Sequence, residues 1–189
     1  MDIENKADKA AARLVEILTG RHYTIALAES CTAGLVSDLI ARVSGASSVL
    51  WGSFVCYTPE AKKQMLHIDG AFLEKHGLVS AETARKMALN TLEIADVDIA
   101  ASVTGLAGPL GDGSETPVGT VFIAIARKCY DGVTVGVEPF FFHGTRAEIR
   151  IQAALAVLDE ALKKIGIRDQ GPGTRDKNPS PRSPIPSPQ

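Results

Sequence analysis

Between an apolar run and an amphipathic stripe the chain reads AESCTAG over residues 28–34, which sets Ser30, Cys31 and Thr32 side by side among small residues. The preceding segment, YTIALAE, reads as a buried strand. Leu35, Val36, Leu39, Ile40 and Val43 then form one helical face, so a helix is predicted over roughly residues 31–43. Ser30 therefore falls at a strand-to-helix junction, the place where open α/β sheets bind their ligands. The first amides of a helix have no partner inside it and can hold an anion or a developing oxyanion. A serine there serves as nucleophile or as N-cap, and on position alone capping is the commoner role. Cys31 offers a second nucleophile, because a helix N-terminus lowers a thiol's pKa. Against that, free cysteines are among the most buried of residues.

A serine nucleophile needs a base. The four histidines, His22, His67, His76 and His143, fall in no triad motif, and there is no G-x-S-x-G elbow. Lysine is the other recurring partner. CYTPEAKKQML places Lys62 one turn into a helix that follows a strand end, with Tyr57 at that end in a position to relay a proton. A lysine base must be neutral part of the time, so its pKa has to fall from ~10.4 toward ~7 to 8, at a cost of roughly 3 to 5 kcal/mol that burial against an apolar wall would impose. The same spacing also fits Lys62 and Lys63 on a solvated helix face.

Two further features bear on a ligand. TGLAGPLGDGSETPVG carries five of the 17 glycines, so its amides are free to close around a phosphate, although it matches neither a Walker A loop nor a dinucleotide fingerprint. Its length exceeds the usual connection in a compact domain, which favours a functional loop. Arg146, in FHGTRAE, begins the last helix, where a cation opposes the helix dipole unless an anionic ligand offsets it.

The elements that must position these residues follow from periodicity. Ile3, Ala7, Ala10, Leu14, Val15 and Leu18 define a first amphipathic helix ended by Gly20. GSFVCY reads as a second strand, PEAKKQML as a short helix with Pro59 in its first turn, and Ala81 to Ala95 as a long helix capped by Ser80. VDIAASVT is a third strand, TVFIAIAR and VTVGVEPFFF form a hairpin across a YDGV turn, and a last helix runs from Arg146 to about Ile165. Strands alternating with helices, plus one hairpin, predict a three-layer α/β/α sandwich with a mixed sheet. The chain divides into one domain, residues 1–168, and a tail, residues 169–189, expected to be disordered. GPGTRDKNPSPRSPIPSPQ holds six of the ten prolines and almost nothing apolar.

At 189 residues, 45% hydrophobic and 22% charged, the composition is that of a soluble globular protein. A net charge of −2 lacks the basic field that supplies most non-specific nucleic-acid affinity, so a small-molecule partner is expected and no nucleic acid. Three separated cysteines without a C-x-x-C pair suggest neither a disulfide framework nor a zinc site. No signal peptide or membrane span is legible, so the expected setting is cytoplasmic. The exposed hairpin edge invites pairing, which is compatible with a homo-oligomer.

AESCTAG, YTPEAK, HGLVSAETA, SVTGLAGP, TPVGTVFIAIA and FHGTR, in this order, resemble the CinA C-terminal domain family over about residues 5–165. The resemblance implies a nicotinamide-nucleotide amidohydrolase. Such an enzyme converts nicotinamide mononucleotide and water to nicotinic acid mononucleotide and ammonia, in pyridine-nucleotide salvage, with no metal or other cofactor. By the same resemblance Ser30 is the nucleophile, Lys62 the general base and Tyr57 a supporting member of the hydrogen-bond network. Thr104, Gly105 and Gly108 face the nucleotide and Arg146 contacts the ligand, while Cys31, Thr32, Ala33 and Gly34 form the turn whose amides hold the oxyanion.

The chain departs from the family's usual pattern at several points. AESCTGG becomes AESCTAG, which narrows backbone freedom at Ala33. YSNEAK becomes YTPEAK, exchanging a Ser-Asn pair for Thr58 and Pro59. F-P-G-D-R becomes FHGTR, in which Thr145 can still cap the helix. The N-terminal pyrophosphatase domain of long family members is absent, so that second activity is not expected. The alternative reading is a catalytically weakened nucleotide-binding regulatory module of the competence or damage-inducible type.

Overall fold

The 19-residue helix α1 (Ile3–Arg21) buries Ala7, Ala11, Leu14 and Leu18 along one stripe and stops where His22 turns into the left-handed region at φ 56°. The structure, a computed structural model, describes residues 2–166. The end of the predicted domain and the proline-rich tail lie outside the described residues.

Strand β1 (Ile25–Glu29) is buried at every position. Ile25 and Leu27 face one core with α1, whereas Ala26 and Ala28 face the opposite side of the sheet. After it come α2 (Leu35–Ala41), a 3-10 turn at Ala46–Ser48, β2 (Leu50–Val55), α3 (Pro59–Leu66), α4 (Gly70–His76) and α5 (Ala81–Ala95). Then follow β3 (Ile99–Gly105), β4 (Thr120–Cys129), β5 (Gly132–Phe141) and α6 (Arg146–Gly166). The sheet order is β2-β1-β3-β4-β5. The first three strands are mutually parallel, β4 runs antiparallel to β3, and β5, antiparallel to β4, returns to the direction of the first three.

Helices α1, α2 and α6 cover one face through a core that includes Leu14, Ile40, Ile99, Ile123 and Leu158. Helix α5 covers the other with Ala84, Ala88 and Leu92, extended beside it by Leu66, Ile68 and Leu73 of the α3–α4 region. The protein is thus the predicted α/β/α sandwich on a mixed sheet. Full burial of one such leucine contributes about 2 kcal/mol, and truncating Leu14 to alanine removes roughly 3 kcal/mol once the cavity is included. Among the described residues no helix is long and apolar enough to cross a membrane.

The structure departs from the predicted elements at two points. The helix expected over residues 31–43 begins only at Leu35 and ends at Ala41, because Ala33 (φ 50°) and Gly34 (φ 92°) are left-handed and cannot continue it backward. Helix α4 was not predicted: its seven residues expose all but Leu73 and the partly buried Gly70, Phe72 and His76, too few to register as a period.

The chain leaves β1 toward β2 on one side and returns to β3 on the other. A sheet that changes direction in this way opens a crevice beyond the carboxyl ends of β1 and β3, which in open α/β sheets is the ligand site.

Candidate active site

Ser30 is the first residue past β1, and its amide still donates to the Val103 carbonyl of β3 (3.0 Å), which holds it in the crevice. The next residues make a tight turn rather than a helix: the Ala33 amide donates to the Ser30 carbonyl (3.1 Å) and that of Leu35 to Thr32 (3.2 Å). Ser30 does not cap α2. The helix start is occupied by the Glu29 carboxylate, which is buried and accepts from the amides of Gly34 (2.9 Å), Val36 (3.0 Å) and Ser37 (3.0 Å) and from the Ser53 hydroxyl (3.0 Å). A carboxylate against free helix amides satisfies both, and it leaves the Ser30 hydroxyl available.

Lys62 takes that hydroxyl. Thr58 caps α3 by accepting from the Ala61 amide (3.1 Å), Pro59 fills its first position, and Lys62 follows on the inward face. The Lys62 side chain is 1% exposed, with Nζ 2.9 Å from Ser30 Oγ and donating to the Cys56 carbonyl at 2.8 Å. No carboxylate pairs with it among the described residues, and burial lowers its pKa below the ordinary lysine value. A cation buried without a counter-ion is driven toward its neutral form, in which it accepts a proton from the adjacent hydroxyl.

The other thiols and hydroxyls are placed differently. Burial pushes the Cys31 thiol up to about 11, and Cys56 is raised for the same first cause, so neither is an accessible thiolate at neutral pH. Tyr57 is 50% exposed, and its hydroxyl meets neither Ser30 nor Lys62; it accepts from Arg146 Nη2 at 2.5 Å. Arg146 Nη1 donates in turn to the Gly108 carbonyl (2.7 Å), so the guanidinium spans the end of β2 and the glycine-rich loop. Thr104 is buried, with its hydroxyl donating to the Leu78 carbonyl (2.8 Å). At Gly105 an added Cβ would meet the Thr120 carbonyl at 2.7 Å, so this glycine lets β4 close against β3. Thr104 and Gly105 therefore shape the wall of the crevice through packing.

Arg146 opens α6 without a dipole penalty left uncorrected. Thr145 and Glu148 form a capping box in which the Thr145 amide and hydroxyl donate to Glu148 Oε2 (2.7 and 2.8 Å). Arg150, one turn further along the same face, donates through Nε to the Cys31 carbonyl (3.2 Å) and through Nη2 to the Thr32 carbonyl (2.6 Å). Sequence reasoning missed both Glu29 and Arg150. Their signals were an acid closing an otherwise apolar strand, and a second arginine four positions after Arg146. A surface depression on the outer side of α1, beside Arg13 and Glu16, is lined by no serine, threonine or cysteine.

A sandwich with a buried Ser–Lys pair at the turning point of its sheet defines the class of domain. Within that class the chain belongs to the CinA C-terminal domain family, which matches residues 7–165. It is 40% identical over 161 residues to a CinA-like protein of Citrifermentans bemidjiense, covering 85% of this chain and 38% of that protein. The chain thus spans well under half the length of the curated relatives it matches. It superposes on the competence/damage inducible protein CihA of Agrobacterium tumefaciens with a TM-score of 0.78 at 33% identity, covering 85% of this chain and 95% of that one. The competence damage-inducible protein A of Klebsiella pneumoniae gives a TM-score of 0.80 at 26% identity, with 84% and 96% covered.

Proposed function

We propose that the protein hydrolyses the carboxamide of nicotinamide mononucleotide to nicotinic acid mononucleotide and ammonia, with Ser30 as nucleophile and Lys62 as base. The observation that carries this reading is the 2.9 Å contact between Ser30 Oγ and a buried Lys62 that no carboxylate neutralises.

Ser30 Oγ attacks the carboxamide carbon while its proton passes to neutral Lys62. The oxygen of the tetrahedral intermediate lies against the amides of Cys31 and Thr32, neither of which donates to another residue among the described residues. As the intermediate collapses, the carbon–nitrogen bond breaks and Lys62 returns the proton to the departing ammonia. Water then attacks the acyl-enzyme, gives one proton to Lys62, and restores the Ser30 hydroxyl as the acid leaves. Arg146, whose present partners are a phenol and a backbone carbonyl, exchanges these neutral acceptors for the ligand phosphate beside the Gly105–Gly119 loop.

The departures from the family pattern favour this reading over the weakened module. Ala33 holds the left-handed conformation that a glycine would supply, and Thr58 with Pro59 starts α3 soundly, so Lys62 reaches Ser30. Purified protein is expected to release ammonia and nicotinic acid mononucleotide, with or without EDTA, and Ser30→Ala to abolish both. Saturable nucleotide binding without turnover would transfer the conclusion to the regulatory module.

A further inference from the structure

We propose that Arg150 is the positioning residue of the oxyanion site: by holding two carbonyls of the nucleophile turn it aims the amides of Cys31 and Thr32 into the crevice. The proposal rests on Ser30 as the nucleophile and adds a residue that touches no substrate.

In a trans peptide the carbonyl and the following amide point in opposite directions, so anchoring one fixes the other. Arg150 Nε binds the Cys31 carbonyl, which sets the direction of the Thr32 amide. Arg150 Nη2 binds the Thr32 carbonyl, which sets the direction of the Ala33 amide, and that amide donates to the Ser30 carbonyl. The Ser30 carbonyl in turn fixes the plane that carries the Cys31 amide. All three peptide planes of the turn thus depend on one guanidinium. Beyond Ala33, Glu29 takes the amides of Gly34, Val36 and Ser37. Among the described residues, the Cys31 and Thr32 N–H groups that follow Ser30 in the chain donate to no other residue.

Only arginine fits this task. Its planar fork reaches two consecutive carbonyls at once, whereas a lysine ammonium presents a point charge without that geometry.

The test is the rate at which a fluorophosphonate labels Ser30. The Ser30 Oγ–phosphorus bond forms, fluoride leaves, the hydroxyl proton passes to Lys62, and the phosphoryl oxygen occupies the oxyanion position. Arg150→Lys and Arg150→Gln are expected to label roughly 10- to 100-fold more slowly, in that order. In hydrolysis of nicotinamide mononucleotide kcat should fall by a similar factor with KM little changed. Thermal unfolding of each variant separates this from loss of fold, and Arg150→Lys carries the test if Arg150→Gln is unfolded. Labelling at the unsubstituted rate, or a rise in KM with kcat retained, overturns the proposal. If the unsubstituted protein is not labelled at Ser30, the nucleophile reading falls and takes the proposal with it. If it is labelled yet releases no ammonia, only the substrate assignment falls, and the labelling rates still decide the role of Arg150.

Discussion

Lys62 Nζ reaches Ser30 Oγ at 2.9 Å across 32 positions of sequence, and its one other hydrogen-bond partner among the described residues is the carbonyl of Cys56. Two neutral oxygens are poor company for an ammonium ion. The pair is arranged for proton transfer at the expense of the charged form of the amine.

Turnover should therefore rise with pH as Lys62 deprotonates, with the midpoint of that limb below the ordinary lysine value of ~10.4. The kcat/KM profile of the unsubstituted protein checks this. Lys62→Arg, which stays protonated, is expected to be inactive throughout.

The same depression has a cost in stability. Between the lowered folded pKa of Lys62 and its unfolded value, the unfolded chain binds the extra proton, so stability rises with pH through that window. Below the folded pKa the full penalty remains. Lys62→Met, of similar length and uncharged, should abolish turnover yet raise stability at neutral pH by about 1 kcal/mol. That advantage should shrink as pH approaches ~10.4. Thermal melts of both proteins across this range would show it, and a destabilised Lys62→Met at neutral pH would refute the account.

Ala33 carries a Cβ at φ 50°. A left-handed residue other than glycine costs roughly 1 to 2 kcal/mol, part of which glycine gives back as extra freedom in the unfolded chain. Ala33→Gly is expected to stabilise by about 0.5 kcal/mol, measured by chemical denaturation, with kcat unchanged because the turn already has the conformation that glycine would take.

Cys31 should be chemically quiet. With its pKa near 11, only ~1 in 10,000 of the thiol is ionised at pH 7. Native protein is expected to incorporate iodoacetamide at Cys31 only after unfolding, followed by peptide mass spectrometry. Cys31→Ala should retain most of the activity. Rapid alkylation that silences the native protein would make Cys31 the nucleophile instead.

Gly105→Ala separates packing from binding. Its Cβ would lie 2.7 Å from the Thr120 carbonyl and 2.9 Å from Val121 Cα, both backbone atoms that cannot swing aside. A loss of about 2 to 3 kcal/mol in folding stability is expected, read as a lowered melting temperature before any ligand is added.

Much of this was legible in the residues because the signals were local. PEAKKQML and Ala81 to Ala95 match α3 and α5 at both ends, since proline or a serine cap marks the start and an apolar stripe runs between. The hairpin was visible as two β-rich runs around YDGV. The turn after Ser30 was misread as helix because the apolar stripe gives no warning that Ala33 is left-handed; a single alanine carries no such signal. Ser30 and Lys62 were each visible as types at suitable places, but their contact depends on how β1 and β2 lie in register, which pairs Glu29 with Val55. Tyr57 was legible as a neighbour and not as a partner of Arg146, because that bond joins the end of β2 to the start of α6.

The nucleophile and its base hang from strands of unequal security. Ser30 follows β1, which is laddered on both sides, by β2 and β3; Lys62 follows β2, an outer strand laddered on one side only. Opening of a margin needs fewer hydrogen bonds to break than opening of a centre, so the amides of β2 should exchange with solvent ahead of those of β1. Each such excursion would carry the amine away from a serine that has not moved. Heat or mild denaturant would then silence the site by parting its two members while most of the sheet still stands.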